Sequence, residues 1–416
     1  MEQLEVLNLI ADISFQISQN PDINLVLNSV LDNIQSVLHA NRTSIMFPDE
    51  NREFLYIKAG QGFEQGAIGA IRVKFWQGIA GYVAATQTPL FLTHADDFAR
   101  FGITHDPLRY KQMSAISVPI IYKQTLLGVL NLNDKSEGNL FTELDFTLAQ
   151  IISNQAAIAI NNSIMMQHYS EKVRLEQSIL IAREIQQHFF PKESPFIDGF
   201  EIESWAKTCD ETGGDYYDYI KYYDHSLAFV IGDVAGHGIG AALVMASARA
   251  ALHAFVENEH DIKQVFYKLN NLLESNLEYS NFMTMLILLL DIPNNSFRYI
   301  SAGHEGPVFY QAKTDTIKIF PSSGLAMGIM NNIQYGLSEP IKMASGDFLM
   351  LLTDGLFEVH NKKQEILGLP RLLSFIRKHG KLSMIELKQK LIDFWLEFRT
   401  DMPQEDDISL VLIKKN

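Results

Sequence analysis

The feature that most constrains the fold is a run of 52 residues, Asn139 to Phe190, that contains neither glycine nor proline. Because glycine and proline are the residues that most often end helices, this run predicts one long helix bounded by Gly138 and Pro191. Thr142 is in position to cap its start, with Asp145 at the third position of a capping box. The early part has a broad apolar face that would pack on a folded domain, formed by Leu148, Ile151, Ile152, Ile158 and Ile160.

Later in the same run the apolar stripe becomes narrower. Its residues step by four and three positions, which is coiled-coil spacing: Leu175, Ile179, Ala182, Gln186 and Phe189. The helix would be about 70 Å long at about 1.5 Å per residue. It either closes the first domain or pairs with a second copy of itself. We favour the second interpretation and expect a parallel homodimer, in which the polar Gln186 makes the pairing marginal.

The chain before this helix alternates between helical and strand-like patterns. An amphipathic helix over residues 23–38 precedes the strand-like runs TSIMF, FLYIK, IRVKF, SAISVPIIY and TLLGVLNLN. Strands joined by short turns, with helices at both ends, predict an antiparallel sheet covered by helices. We assign residues 1–165 to this α+β domain and residues 166–191 to a helical coiled-coil linker.

The motifs GIAGYV, SVPI and GVLNLNDK, followed by the helical QAAIAINN, resemble a GAF domain. The resemblance implies a sensor and dimerisation module for a small-molecule or protein signal. Asn133, Lys135, Phe141 and Asp145 loosely match the signature of members that bind cyclic nucleotides. An aspartate interrupts the Asn-Lys pair and a phenylalanine replaces the signature's glutamate, so we do not expect cyclic-nucleotide binding. Cys209 is the chain's one cysteine and lies outside this domain, which excludes a thioether-linked chromophore.

Residues 192–416 form a third segment of mixed character. Its strand-like runs are FEIESWA, DYYDYIKYY, SLAFVIGDV, FMTMLILLLDI, SFRYISAG, GPVFYQ, DFLMLLTD and ISLVLIKK. Helical patterns cover residues 241–256, 262–277 and 384–398. No strand–helix–strand alternation is sustained, which disfavours a doubly wound parallel sheet. Stacked antiparallel sheets flanked by helices are expected instead.

The stretch IGDVAGHGIGAALVM, residues 231–245, places a glycine-rich turn between a strand-like run and a helical run. Residues 236–241 match the dinucleotide pattern G-x-G-x-x-A. A dinucleotide fold also needs a second strand and an acidic residue about 20 residues later, whereas a second helix follows here. A phosphate-binding P-loop is absent as well, because no Gly-Lys-Ser/Thr follows. These phosphate-binding interpretations fail on context.

Aspartates recur at the ends of apolar runs, namely Asp215, Asp233, Asp354, Asp406 and Asp407. Each one alone is typical of a turn or a helix cap. Together, buried carboxylates at strand ends would repel one another unless a cation lay between them. Oxygen ligands without a Cys/His cluster favour Mg²⁺ or Mn²⁺. Two such ions can activate water and bind a phosphate for in-line attack, so we interpret the glycine turn as part of a metal site.

The motifs GGDYYDY, GDVAGHGIGAAL, FMTM, SAGHEGP, TDGLFE and EDDISLVL, preceded by AREIQQHFFP, resemble the metal-dependent serine/threonine phosphatases of the bacterial SpoIIE/RsbU branch. The resemblance implies an α/β/β/α sandwich with two Mn²⁺ or Mg²⁺ ions. Asp233 would bridge both ions and the Val234 carbonyl would bind one. Asp354 and Asp406 would complete the second site, and Asp215 would contact the metals directly or through water. These four aspartates are the expected catalytic residues, with a metal-activated water as nucleophile.

His237 and His304 each have two interpretations. A histidine beside glycine could act as general acid toward the leaving serine oxygen. Alternatively, each histidine orders its own turn by hydrogen bonding, which we favour. Glu358 is interpreted as structural, and no arginine occupies an obvious phosphate-binding position in the sequence.

Composition excludes several classes of function. The net charge is −15 and no basic patch is present, so neither nucleic acid nor an anionic membrane is expected as a partner. The longest apolar run, residues 283–290, is too short to span a bilayer, and the N-terminal MEQLEVLNLIADIS lacks the basic segment of a signal peptide. One cysteine is typical of a protein in the reducing cytosol. We expect a cytoplasmic protein without membrane insertion.

Taken together, the sequence predicts a GAF-regulated phosphatase acting on phosphoserine or phosphothreonine in a protein. The family resemblance implies a phosphorylated anti-anti-sigma factor of the STAS fold as substrate, in bacterial partner-switching signalling. The alternative is a catalytically silent sensor that binds a partner through the same fold.

Overall fold

The computed structural model describes residues 22–416 except 64–65, 67, 104–111, 224–225 and 277–280. The N-terminal stretch MEQLEVLNLIADIS, which lacks the basic segment of a signal peptide, lies outside the described residues. Contacts divide the chain into two compact units, Met1–Arg174 and Leu175–Asn416, which are described separately.

The first unit is built on one six-stranded antiparallel sheet with the strand order β3-β2-β1-β6-β5-β4. Its strands are β1 (Ala40–Pro48), β2 (Phe54–Gln61), β3 (Arg72–Lys74), β4 (Leu90–Leu92), β5 (Ala115–Tyr122) and β6 (Thr125–Lys135). Its helices are α1 (Ile23–Leu38), α2 (Gly78–Thr86), α3 (Ala95–Ala99) and the first part of α4 (Glu143–Gln187). The predicted α+β architecture is confirmed, and the short β4 and α3 are additions to it.

The core of this unit lies between the sheet and two helices. Asp22 caps α1 by accepting a hydrogen bond from the Asn24 backbone N–H at 2.8 Å. The apolar side chains of α1 and of the start of α4 are buried in the same core as the central strands. Members of this core include Val26, Val30, Ile34, Ile45, Leu130, Ala149, Ile152 and Ile160. Of the predicted early face of the long helix, Leu148, Ile152 and Ile160 are therefore buried as expected, whereas Ile158 is 46% exposed.

The start of α4 has the capping box expected from the sequence. The Asp145 carboxylate accepts hydrogen bonds from the Thr142 backbone N–H at 2.7 Å and from its hydroxyl at 2.9 Å. The Asp145 N–H in turn donates to the Thr142 hydroxyl at 3.3 Å. Lys135 forms an ion pair with the same carboxylate at 2.6 Å. Lys135 and Asp145, which loosely matched the cyclic-nucleotide signature, thus have a structural role here.

The second unit contains two five-stranded antiparallel sheets, ordered β14-β11-β10-β9-β8 and β13-β12-β15-β16-β7. The first sheet contains β8 (Tyr216–Lys221), β9 (Ser226–Val234), β10 (Met283–Asp291), β11 (Ser296–Ala302) and β14 (Ile341–Lys342). The second contains β7 (Phe200–Lys207), β12 (Val308–Gln311), β13 (Thr316–Ile319), β15 (Phe348–Leu352) and β16 (Ile408–Lys415). The helices are α5 (Gly238–Asn258), α6 (Ile262–Asn276), α7 (Gly368–His379) and α8 (Met384–Arg399).

Three apolar cores hold these layers together. One joins α5 and α6 to the first sheet, one lies between the sheets, and one joins α7 and α8 to the second sheet. The order helices–sheet–sheet–helices is the expected α/β/β/α sandwich. Helix α7 was not predicted, because its first turn contains Gly368 and Pro370, residues that the sequence pattern associates with loops.

Helix α5 is the one described helix whose length and composition would allow it to cross a membrane, a criterion that core helices also meet. Six of its residues are buried, among them Met245, Ala248 and Leu252, and they belong to the core that joins α5 to the first sheet.

Candidate active site

Asp233 and Val234 lie at the end of β9, where the strand enters the glycine turn. Asp233 is paired with Thr284 and Val234 with Met283 on the neighbouring β10. Gly232 is required there, because an added Cβ would lie 2.7 Å from the Thr284 carbonyl oxygen. After Val234 the chain turns through Gly236, at φ 88°, and enters α5. This local structure places Asp233 at the sheet edge where the turn begins.

Asp215 is held at the start of β8 by a carboxylate that the sequence did not assign. The buried Asp407 accepts hydrogen bonds from the backbone N–H groups of Gly214 at 2.6 Å and Cys209 at 2.8 Å. An added Cβ on Gly213 would lie 2.2 Å from the Asp407 carboxylate, which explains the glycine at that position. Asp407 therefore organises the loop before Asp215. The only signal in the sequence is its position beside Asp406.

Asp354 begins a short 3₁₀ turn directly after β15. The preceding Thr353 donates a hydrogen bond from its hydroxyl to Asp215 at 2.8 Å, and that hydroxyl accepts one from the Ser409 N–H at 2.8 Å. Gly355 has no room for a side chain, because a Cβ would lie 2.0 Å from the Asp407 carbonyl oxygen. Thr353 thereby links the ends of β15 and β16 to Asp215.

The proposed ligand aspartates share one electrostatic field. Burial, followed by the charges of Asp354, Asp406 and Asp407, raises the pKa of Asp233 to about 8. Burial and the charges of Asp233 and Asp407 raise the pKa of Asp215 well above its ordinary value. Burial also raises the pKa of Asp406, with Asp354 and Asp407 acting in the same direction. The structure thus brings together the four aspartates that the sequence singled out.

These residues fit a divalent cation. Asp215 is 3% exposed, and its Oδ1 is a buried oxygen without a hydrogen-bond partner. A buried oxygen of this kind among mutually repelling carboxylates is stabilised by a cation. Over the described ranges, no three acidic, histidine or cysteine side chains converge closely enough to chelate an ion as they stand. The carboxylates would therefore have to close inward around a bound ion.

His304 is buried and links the two sheets close to the aspartates. Its Nδ1 lies 2.8 Å from the Thr284 hydroxyl, and its Nε2 lies 3.1 Å from the Leu352 carbonyl oxygen. Burial lowers the pKa of His304 to about 4, so the ring is neutral near pH 7. These partners require Nε2–H to donate to Leu352 and Nδ1 to accept from Thr284. For His304, the hydrogen bonds match the turn-ordering interpretation.

His237 is exposed and precedes the first residue of α5. Its Nδ1 lies 2.6 Å from the Asp210 carboxylate. That hydrogen bond, with the charge of Asp210, raises the pKa of His237. The contact links the glycine turn to the loop after β7, so this histidine also orders its surroundings.

The last turn of α4 belongs to the second unit and is bonded to the loop before β8, which the coiled-coil expectation did not include. Gln186 is buried, its Nε2 donates to the Gly213 carbonyl at 2.6 Å, and its Oε1 accepts from the Gly213 N–H at 3.1 Å. The Phe189 carbonyl accepts a hydrogen bond from Arg249 at 3.0 Å. Gln186 therefore does not interrupt an apolar seam; it holds the loop two residues before Asp215. Sequence spacing does not distinguish a seam position from such a docking contact.

A cavity of about 640 Å³ opens beside Asp215. Its wall contains residues from the end of α4, the end of β7 and the loop that follows β7. The charged lining residues are Arg183, Lys207, Asp210, Glu211 and Asp215. Phe190, Tyr217 and Ile408 supply apolar surface.

A separate cavity of about 320 Å³ lies in the first unit. Arg42 and Arg72 are among its lining residues, and the described lining contains no acidic side chain. Polar lining residues are hydrogen-bonded to each other, since Ser117 donates to Asn131 at 2.7 Å. The Arg42 guanidinium lies 4.6 Å from the centre of the Phe63 ring.

Comparison with known proteins identifies two family models along the chain. Residues 22–160 match the GAF domain, and residues 223–416 match the family described as Stage II sporulation protein E (SpoIIE). The fold is similar to that of the SiaA-PP2C domain of Pseudomonas aeruginosa, with a TM-score of 0.53 at 20% identity, over 59% of this chain and 99% of that one. Both predicted domain types and the predicted fold class are confirmed.

Two curated relatives extend over both units. The phosphoserine phosphatase RsbU of Bacillus subtilis is 27% identical over 83% of this chain and 98% of its own length. Protein IcfG of Synechocystis is 26% identical over 71% of this chain, and the alignment spans 47% of IcfG.

Proposed function

We propose that this chain, which joins a GAF domain to a SpoIIE-type PP2C phosphatase domain, removes phosphate from phosphoserine or phosphothreonine in a protein substrate. One observation carries the proposal. Asp215, Asp233, Asp354 and Asp406 come from four separate chain segments on two sheets and interact electrostatically. A silent partner-binding domain has no need to keep four carboxylates together against their mutual repulsion. That repulsion favours the enzyme over the silent sensor.

Two divalent ions, Mn²⁺ or Mg²⁺, would be held by these aspartates and by the Val234 carbonyl oxygen. Asp233 would bind both ions, and Asp354 and Asp406 would complete the second ion's site. Asp215 would contact the ions directly or through water. When bound, such ions supply Lewis-acid stabilisation of the phosphate and lower the pKa of water. The carbonyl of Val234 lies 2.8 Å from the position of an added Cβ on Gly214, so glycine there keeps the approach to it open.

The surrounding residues keep this site in one arrangement. Asp407 fixes the loop before Asp215, Thr353 orients the Asp215 carboxylate, and the neutral His304 links β10 to β15. Groups held by several hydrogen bonds need little reorganisation when a charged substrate arrives. The chain's own contribution to catalysis is therefore to position these carboxylates where the cations would bind.

The class of substrate, a phosphoprotein, is inferred from the similarity to a curated relative. RsbU is named a phosphoserine phosphatase and aligns over nearly its whole length. We infer phosphoserine or phosphothreonine in a STAS-fold anti-anti-sigma factor, within a cytoplasmic partner-switching pathway.

Regulation is assigned to the GAF domain, residues 1–165, acting through the linker, residues 166–191, on the phosphatase domain, residues 192–416. The cavity of the first unit is suited to a small organic anion, because Arg72 is among its lining residues and its described lining contains no acidic side chain. In a thermal-shift screen, small carboxylates or phosphates should therefore stabilise the unchanged chain, and Arg72→Ala should lose that response. A screen in which both chains respond equally would place the ligand elsewhere.

The test of the proposed activity is hydrolysis of an aryl phosphate by the purified full chain. We expect turnover with Mn²⁺, none after chelation, and recovery when Mn²⁺ is restored. Hydrolysis of a serine-phosphorylated protein under the same conditions should show the same dependence. A folded chain that binds Mn²⁺ and hydrolyses neither substrate would favour the silent sensor.

A further inference from the structure

The cavity beside Asp215 contains a guanidinium that no other part of the site uses. Arg183 lies on α4, three residues before Gln186, and lines the same cavity as Asp215. Within the described parts of the chain, Arg183 makes no hydrogen bond or ion pair, and its side chain is exposed. An unpaired arginine on the wall of a cavity that also contains a proposed metal ligand is available to bind an anion.

Most of the other charged side chains that line the cavity already contact neighbouring residues. Asp210 is hydrogen-bonded to His237 at 2.6 Å, and Asp215 accepts from Thr353. The Lys207 ammonium lies 5.4 Å from the Trp395 ring centre. Glu211 is the remaining acidic group, and its charge opposes an incoming anion. Arg183 is therefore the cation of this cavity that is left for a ligand.

The position of Arg183 is fixed by its neighbour on the helix. The two hydrogen bonds between Gln186 and Gly213 hold the last turn of α4 against the loop that leads to Asp215. Residues three apart on a helix lie on the same face, so Arg183 and Gln186 point to the same side. The cavity wall next to them contains the Phe190 and Tyr217 rings, whose centres are 5.4 Å apart. A cation beside aromatic surface is suited to a phosphorylated peptide segment.

The geometry points to Arg183 as a substrate-binding residue that the linker helix contributes to the phosphatase site. It contacts an oxyanion of the phosphoprotein, either the phosphate itself or a carboxylate next to the phosphoserine. This inference rests on the proposed phosphatase function and adds to it the missing phosphate-orienting cation. It also means that residues before the matched phosphatase region, 223–416, take part in substrate binding.

The test compares KM and kcat of the full chain with Mn²⁺, using a serine-phosphorylated peptide and an aryl phosphate. Arg183→Ala should raise KM for the peptide about tenfold, the size expected for one charge-assisted hydrogen bond, with little change in kcat. Arg183→Lys should recover part of the loss. Glu211→Gln, which removes the opposing charge, should lower KM. Arg174→Ala, the same change nine residues earlier on the opposite side of the helix, is the matched control.

The aryl phosphate distinguishes the two oxyanions. A KM increase for both substrates, with weaker competitive inhibition by inorganic phosphate, means that Arg183 contacts the phosphate. An increase for the peptide alone means that it contacts a peptide carboxylate. Unchanged KM values in Arg183→Ala, or a fall in kcat alone that lysine does not restore, would overturn the inference. Absence of hydrolysis by the unchanged chain would instead overturn the proposed function itself.

Discussion

At the scale of single residues, the site depends on carboxylates that repel one another and on neutral groups that hold them in place. Asp233 has the central position, since its pKa responds to the charges of Asp354, Asp406 and Asp407. Removing its charge should weaken every ion bound among these groups, whereas removing a supporting hydrogen bond should act through stability. Substitutions can separate these two kinds of contribution.

Asp233→Asn should abolish turnover while leaving the fold intact. The neutral amide takes away the negative charge of the ligand that both proposed ions share. We expect a loss of several orders of magnitude in phosphate release and weaker Mn²⁺ binding in calorimetry. Asp354→Asn should behave similarly. Asp393→Asn, on the exposed surface of α8, is the control and should match the unchanged chain. Rates near those of the unchanged chain at saturating Mn²⁺ would contradict the two-metal assignment.

The two histidines should respond differently to substitution. His304→Ala removes a buried link between β10 and β15. The Leu352 carbonyl and the Thr284 hydroxyl then lose their hydrogen bonds to the imidazole, which should lower the unfolding free energy by about 1–3 kcal/mol. His237→Ala, at an exposed position, should keep measurable activity and nearly unchanged stability. Denaturant unfolding and aryl phosphate turnover measure both. Complete loss of turnover in a stable His237→Ala chain would assign it as the general acid.

Asp233 should also make stability depend on pH. Because its folded pKa of about 8 lies above its ordinary value of 3.8, the folded metal-free chain keeps a proton that the unfolded chain releases. Its contribution is therefore fully present below about pH 4 and is lost as pH rises through about 8. Bound Mn²⁺ should reverse the trend, since it requires the carboxylate.

The measurement is denaturant unfolding at pH 5, 6.5 and 8, in chelator and in Mn²⁺, with Asp233→Asn as the control. In chelator, the unfolding free energy of the unchanged chain should fall relative to that of Asp233→Asn as pH rises. A difference that stays constant over this range would show that Asp233 has an ordinary pKa in the folded chain.

At the scale of elements, helix α4 is the connection between the two units along the chain. Its last turn is attached to the loop before Asp215 through Gln186. Its exposed surface includes several large apolar side chains, namely Met165, Met166, Tyr169, Leu175, Leu180, Ile181 and Ile185. We propose that a change in the packing of this helix alters the loop and hence the metal site.

Gln186→Leu should change basal phosphatase activity several-fold without altering any proposed metal ligand. Leucine cannot bond to the Gly213 N–H and C=O groups, which would be left buried and unpaired. A flexible Gly-Ser replacement of residues 170–182 tests the same connection from the other side. Turnover and Mn²⁺ affinity are measured for both variants. If both variants match the unchanged chain in both quantities, the helix is a passive tether.

The sequence predicts elements better than it predicts the contacts between their ends. Long apolar strands such as β9, β10 and β16 lie within about two residues of their predicted bounds, because a buried run allows little else. The four proposed ligand aspartates could be singled out because each lies at one end of an apolar run. Asp407 and Gln186 could not be assigned, since their partners, Gly214 and Gly213, are fixed only by tertiary packing. Arg183 was missed for the same reason, as its cavity forms from distant segments.

At the scale of the whole molecule, the exposed apolar residues of α4 support the expected dimer. A single helix in water leaves these side chains in solvent, and a parallel pair would bury those that share one face. We predict a homodimer at micromolar concentration in sedimentation velocity, joined through the GAF domain and the linker. Charged substitutions at Leu175 and Ile179, which are four residues apart on the predicted stripe, should shift it toward monomer, while Gln177→Ala, off that stripe, should not. If the unchanged chain sediments as a monomer, the prediction of a homodimer is contradicted.

Strand β16 follows every other element of the phosphatase unit along the chain, yet it lies inside its sheet, between β15 and β7. Asp406 and Asp407 directly precede it, so both the last proposed ligand and the organiser of the Asp215 loop are translated after all the other site residues. A nascent chain has to keep β7 and β15 apart until this strand arrives. The enzyme should therefore gain activity in one late step of synthesis. A product truncated before this strand should not be a weaker phosphatase but an inactive one, with unpaired edges on β7 and β15.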